Sequence, residues 1–124
     1  MIHTLNTDFS KLIIVGDRVL IRPTQENERT KSGLFLPPGV EEKEDIRRGY
    51  VIKAGPGYPI PVPTDDAIES WKEPDEKIKY IPLQAKEGDL AIFLKKGAYE
   101  VIFNDEKYYI VPQSSILMLE REDW

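Results

Sequence analysis

Cysteine is absent from this sequence and histidine occurs once, at His3. Disulfides and thiolate metal sites are therefore excluded, and a lone terminal histidine assembles neither a zinc site nor a nucleophile–histidine pair. The composition suits a reducing compartment, and a cytoplasmic location is expected. Long apolar runs are missing as well. No stretch approaches the roughly 20 apolar residues of a membrane span, and the opening Met-Ile-His-Thr-Leu-Asn-Thr-Asp lacks the basic start and apolar core of a signal peptide. A soluble protein with no membrane partner is expected. Basic residues are outnumbered, 17 Lys and Arg against 22 Asp and Glu, and the net charge of -5 repels a phosphate backbone, so nucleic acid is not an expected partner.

Catalytic constellations are also lacking. The paired carboxylates Asp65-Asp66 and Glu41-Glu42 fall among counter-charges in loop-like sequence, the pattern of a solvated surface rather than a general acid and base. Gly55-Pro56-Gly57 is a turn, with no helix after it to supply phosphate-binding amides. The residues point to a protein that is not an enzyme and that holds neither cofactor nor metal.

What is present is a series of short apolar runs separated by Gly, Pro and Asn-Asp turns. Residues 11–15, Lys-Leu-Ile-Ile-Val, stop at Gly16-Asp17, and residues 18–22, Arg-Val-Leu-Ile-Arg, stop at Pro23. Residues 49–54 read as a strand ended by Gly55. Residues 89–95 alternate with period two, and residues 99–103, 107–111 and 116–119 complete the set. Lys95-Lys96-Gly97 and Asn104-Asp105-Glu106 read as hairpin turns, which predicts an antiparallel meander. The 124 residues fit one domain, an all-β barrel.

Two stretches do not fit a minimal barrel. Residues 26–48 are crowded with charge, and such a segment is expected to be a long mobile loop. Set within it, between Gly33 and Pro37-Pro38, is the apolar triplet Leu34-Phe35-Leu36. Three large apolar side chains gain nothing in a solvated loop, so they read as bait for a partner's groove. The alternative, a short edge strand packed on the body, stays open here. Residues 55–88 carry Pro56, Pro59, Pro61, Pro63, Pro74 and Pro82 with Tyr58, Trp71 and Tyr80 between them. Alternating prolines deny that stretch a central place in a sheet, and residues 77–81 offer one arm of a hairpin.

Five local patterns together resemble the GroES-type co-chaperonins, the 10 kDa chaperonin family. Gly16-Asp17-Arg18-Val19-Leu20-Ile21 is similar to the family's His-Asp-Arg-Val opening, with Gly in place of the usual His. Thr30 to Leu36 resembles the start of the family's mobile loop, where Gly precedes an apolar tripeptide. Arg48-Gly49-Tyr50-Val51 through Gly55-Pro56-Gly57 resembles the strand and turn that close that loop. Lys86-Glu87-Gly88-Asp89-Leu90-Ala91-Ile92-Phe93 and Ser114-Ser115-Ile116-Leu117 resemble the last two motifs. Their order and spacing make the likeness specific.

The resemblance implies a GroES-like irregular, partly open β-barrel over residues 1–124, with the mobile loop at about 26–48 and an elaborated roof insert at about 55–88. It implies a ring homo-oligomer, a heptamer, in which Leu12, Ile13, Ile14 and Val15 pair with Ile116, Leu117, Met118 and Leu119 of a neighbour. Gly33, Leu34, Phe35 and Leu36 would dock on a GroEL-type chaperonin in its ATP-bound state, and unfolded client proteins would be engaged indirectly. Phe35 is bulkier than the family's usual middle residue, and the Pro-rich insert is longer than its counterpart. A second function is compatible with the residues: a GroES-fold binding module that caps nothing and uses the Pro and aromatic insert.

Overall fold

The computed structural model of the chain describes residues 8–24, 33–34, 37, 45–61 and 78–121. Its strands are β1 (Arg18–Pro23), β2 (Ile46–Ala54), β3 (Tyr58–Pro61), β4 (Ile78–Ile81), β5 (Leu90–Leu94), β6 (Tyr99–Phe103), β7 (Glu106–Pro112) and β8 (Ile116–Glu120). Six of them form one antiparallel sheet in the order β6-β7-β1-β2-β5-β8, and β3 and β4 form a separate two-stranded ribbon. Among the described residues there is no α-helix. The all-β expectation holds.

Connection lengths dictate how the sheet is rolled. β7 is second in the sheet order and β8 sixth, so on a flat sheet they would lie four strand spacings, about 19 Å, apart. The chain joins them through Gln113–Ser115, a 3-10 turn of 3 residues, which spans roughly 14 Å even when fully extended. The same holds for β5 and β6, fifth and first in the order, joined through the 3-10 turn Lys95–Gly97. Both connections are short enough only if the sheet curls until its edges approach, which is the geometry of a partly open barrel. The two turns touch: a β-carbon on Gly97 would collide with Ser115 Oγ. Lys95–Gly97 is thus a corner and not the hairpin turn expected from the sequence, because β5 pairs with β2 and β8 and leaves β6 to β7. The meander is limited to β6 and β7. Their turn residues, Asn104 (φ 54°) and Asp105 (φ 65°), both adopt the left-handed conformation of a tight two-residue hairpin.

The core fills the curl. Val19 and Ile21 of β1, Val51 of β2, Ala91 and Phe93 of β5, and Tyr109 and Val111 of β7 are buried together with Leu83 and Ala85. Phe93 and Tyr109 meet edge to face, with ring centroids 5.6 Å apart. Each buried Val, Leu, Ile or Phe side chain contributes about 1.5 to 3 kcal/mol by leaving water. β3 carries Pro59 and Pro61 and stays outside the main sheet, paired only with β4, as expected of strands that lack amide donors. Residues 62–77, with Trp71, lie outside the described residues, as do His3 and Trp124.

Gly16 adopts φ +68°, and its carbonyl accepts the amide of Gly57 at 3.0 Å. Glycine meets no steric penalty in that region, and histidine is among the side chains enriched there, so the exchange at this motif position preserves the turn.

Candidate functional site

The tripeptide segment leaves the sheet after β1 and returns at β2, and its two ends are tied together by Thr24 and Arg48. The Thr24 amide donates to the Arg48 carbonyl at 3.1 Å, and Arg48 Nε donates to Thr24 Oγ1 at 3.2 Å. Arg48 is only 4% exposed, so these bonds form in a poorly solvated setting. One step further into the sheet, Gly49 sits opposite Pro23. A β-carbon there would strike the Arg22 carbonyl oxygen and Ile21 Cγ2. Arg48-Gly49 thus lets β2 lie close against β1 at the point where the segment departs. β2 starts at Ile46, earlier than the strand expected from Gly49, and the backbone carbonyl of Asp45 just before it accepts the Lys95 amide at 2.8 Å.

Of the predicted docking residues, Gly33 and Leu34 are described and Phe35 and Leu36 lie outside the described residues. Gly33 is exposed at φ +98°. Leu34 is half-buried and lines an open groove with Met118, Leu119 and Glu120 of β8.

The predicted subunit-pairing residues fall on two apolar segments that are not paired with each other in the chain. β8 is the outer strand on one side of the sheet, and Leu117 and Met118 are exposed on it. The pairing of β8 with β5 steps from Met118 to Ile116, leaving Leu117 as the extra residue of a bulge. Residues 12–15 form no strand pair among the described residues, although their sequence reads as one. Leu12 and Ile14 are half-buried, while Ile13 is 83% and Val15 65% exposed, the alternation of an extended segment with one face bare. An apolar run without a ladder partner is an open edge.

The end of β8 is held by an ion pair that sequence reasoning did not anticipate. Asp89, 1% exposed, accepts Arg121 Nε at 2.7 Å on Oδ1 and Arg121 Nη2 at 2.6 Å on Oδ2. Arg121 Nη2 also donates to the Gln84 carbonyl at 2.9 Å, and the Lys86 amide donates to Asp89 Oδ2 at 2.8 Å. Burial alone would raise the carboxyl's pKa, but the Arg121 hydrogen bonds, the Lys86 amide and the nearby positive charges outweigh it and hold the group below its ordinary value. The Gly88-Asp89 motif was the visible half of this arrangement; Arg121, in a charged C-terminal stretch, carried no distinguishing signal.

Among the described residues, no group of three or more His, Cys, Asp or Glu side chains converges as metal ligands would, and no helix is long and apolar enough to cross a membrane.

The sequence model of the family described as chaperonin 10 Kd subunit matches residues 11–119. The chain is similar to the co-chaperonin GroES of Cutibacterium acnes, 35% identical over 101 residues that make up 82% of this chain and 86% of that protein. The corresponding protein of Coprothermobacter proteolyticus is 33% identical over 103 residues, 83% of this chain and 88% of its own length. That of Rhodothermus marinus is 31% identical over 113 residues, 91% and 95% of the two lengths.

Proposed function

The chain belongs to the co-chaperonin GroES family, and from that premise we propose that it caps an ATP-bound GroEL-type chaperonin as a ring of identical subunits, a heptamer, and so assists the folding of enclosed clients. Gly33, Leu34, Phe35 and Leu36 are the docking residues in this reading. Leu12 to Val15 and Ile116 to Leu119 join neighbouring subunits. The protein contributes binding and no catalysis, and the ATPase belongs to the chaperonin.

The observation that carries the reading is the tied base at Thr24 and Arg48. A docking tripeptide is useful only if its segment is tethered at both ends to a rigid body, so that binding energy is passed to the lid. Burying Leu, Phe and Leu yields about 5 to 9 kcal/mol, against about 1 to 2 kcal/mol for each flanking residue that must be ordered. One copy alone therefore binds weakly. Several copies on one ring raise each other's effective concentration, which gives a cap that holds firmly yet releases when the partner's grooves move. Pro37 and Pro38 narrow the unbound ensemble and lower the ordering cost.

Co-sedimentation with a chaperonin double ring, with and without ATP, tests this reading beside a Leu34→Ser, Phe35→Ser, Leu36→Ser triple variant. ATP-dependent binding lost in the variant is the expected result. An intact chain that never binds the chaperonin of its own organism would sink the capping reading.

A second reading is favoured by the exposed apolar residues Tyr58, Ile60, Tyr80 and Ile81 on the β3–β4 ribbon, which suit a binding module independent of any chaperonin. Replacing residues 59–80 by a short Gly-Ser link separates the two. A lid keeps its chaperonin affinity, whereas a ribbon-based module loses its ligand.

A further inference from the structure

The family match begins at residue 11, and the residues just ahead of it form a fastening. Asp8 accepts the Ser10 amide at 2.9 Å, and the Leu12 amide donates to the Phe9 carbonyl at 3.0 Å, so residues 8–12 make a compact turn. The Phe9 ring packs on the β6–β7 hairpin, 5.6 Å from the Phe103 centroid and 5.6 Å from that of Tyr108, the latter edge to face. From β2, Lys53 Nζ donates to two carbonyls of the turn, Phe9 at 2.9 Å and Leu12 at 2.7 Å. The far end of the segment is fixed by the bond from the Gly57 amide to the Gly16 carbonyl. Residues 12–15 are thus stretched between two anchors.

The anchors also decide which backbone groups face outward. Along an extended segment the peptide groups of alternate residues point to opposite sides. The Leu12 carbonyl is taken by Lys53, and the Ile14 carbonyl lies 3.1 Å from where a β-carbon on Gly55 would sit, against the body. The backbone edge of Ile13 and Val15 is the one left facing away, on the two residues whose side chains are most exposed.

We infer that Phe9 and Lys53 are positioning residues for subunit pairing: together they hold residues 12–15 extended and, by occupying the Leu12 carbonyl, make Ile13 the first residue of the ladder to a second copy's β8. The inference rests on the ring reading above. Register matters because a slip of one residue would exchange the bare face of Ile13 and Val15 for the half-buried face of Leu12 and Ile14. Pre-ordering matters because each residue that must be fixed on association weakens it by about tenfold.

Sedimentation velocity over a dilution series of the full chain, its Phe9→Ala, Lys53→Met, Lys53→Arg and Phe9→Ala/Lys53→Met variants tests this, with thermal unfolding of the dissociated chains alongside. Methionine keeps the aliphatic stem of Lys53 without its donors, and arginine keeps a cation with several donors. The expected result is an assembly midpoint raised about tenfold or more in Phe9→Ala and in Lys53→Met. Lys53→Met leaves the dissociated chain folded, with an unfolding temperature lowered by several degrees at most, Lys53→Arg recovers the parental midpoint, and the double variant rises by less than the product of the single effects, since both act through one segment. A ring-forming parent whose midpoint is unmoved by either single variant overturns the inference alone. So does a Lys53→Met chain that no longer folds, because that makes Lys53 structural. A parent that stays monomeric at every concentration overturns the ring reading and this inference with it.

Discussion

Arg121 grips Asp89 at both carboxylate oxygens, at 2.7 and 2.6 Å, and so staples the end of β8 to the turn that starts β5. β8 is the outer strand that carries half of the proposed subunit contact, and this pair holds it where the ladder with β5 ends, at Leu90 and Glu120. Because the folded-state pKa of Asp89 is depressed, its stabilisation is complete above the unfolded pKa of a carboxylate and disappears as pH falls through the lower, folded value. Arg121→Ala leaves Asp89 buried without its guanidinium, and the acid unfolding transition is expected to move to higher pH. Asp89→Ala should cost about 2 to 3 kcal/mol near neutral pH, a loss that shrinks in acid. Urea titrations at neutral and acidic pH check both; equal losses at the two pH values would refute the assignment.

Thr24→Val is nearly isosteric and removes the oxygen that accepts Arg48 Nε. The expected loss is about 1 to 2 kcal/mol in urea titration, with faster exchange of the Thr24 amide. In the capping reading, chaperonin affinity falls as well, although Thr24 lies outside the tripeptide.

Gly49→Ala places a β-carbon against the Arg22 carbonyl and Ile21 Cγ2. Backbone on one side and core on the other leave little room to relax. A destabilisation of about 3 kcal/mol is expected in thermal or urea unfolding, and a chain that tolerates alanine there would show that the β1–β2 contact gives way.

Leu117→Glu adds a charge at the bulge of β8, on a side chain that is already exposed. The unfolding free energy of the single chain is expected to change by less than about 0.5 kcal/mol, while a charge at a pairing edge blocks association. Sedimentation at a concentration where the parent assembles reads the difference.

Sequence periodicity located the strands because apolar alternation and turn residues are local signals. Asn104-Asp105 declared its hairpin, and the prolines of residues 59 and 61 kept β3 out of the main sheet, as their missing donors require. Partner choice was less legible. Lys95–Gly97 looks like a hairpin turn, but whether the next strand folds back or crosses to the other edge depends on β8 competing for β5. Residues 12–15 read as a strand yet form no strand pair among the described residues, since propensity reports an extended conformation and carries no information on what lies beside it. The Phe9, Lys53 and Arg121 contacts join residues 32 to 99 positions apart, from Arg121 with Asp89 to Phe9 with Tyr108, and no local pattern marks them.

The two touching corners have a kinetic consequence. By sending β5 away from β6 and β7 away from β8, they leave β6–β7 as the one ladder of the six-stranded sheet formed by strands joined through a tight turn. The other ladders must close long stretches of chain before they gain anything, so folding should be slow and should start at the Asn104-Asp105 turn. Substitutions there are expected to retard refolding with little effect on unfolding, and substitutions in β8 to do the reverse, which stopped-flow chevrons would resolve.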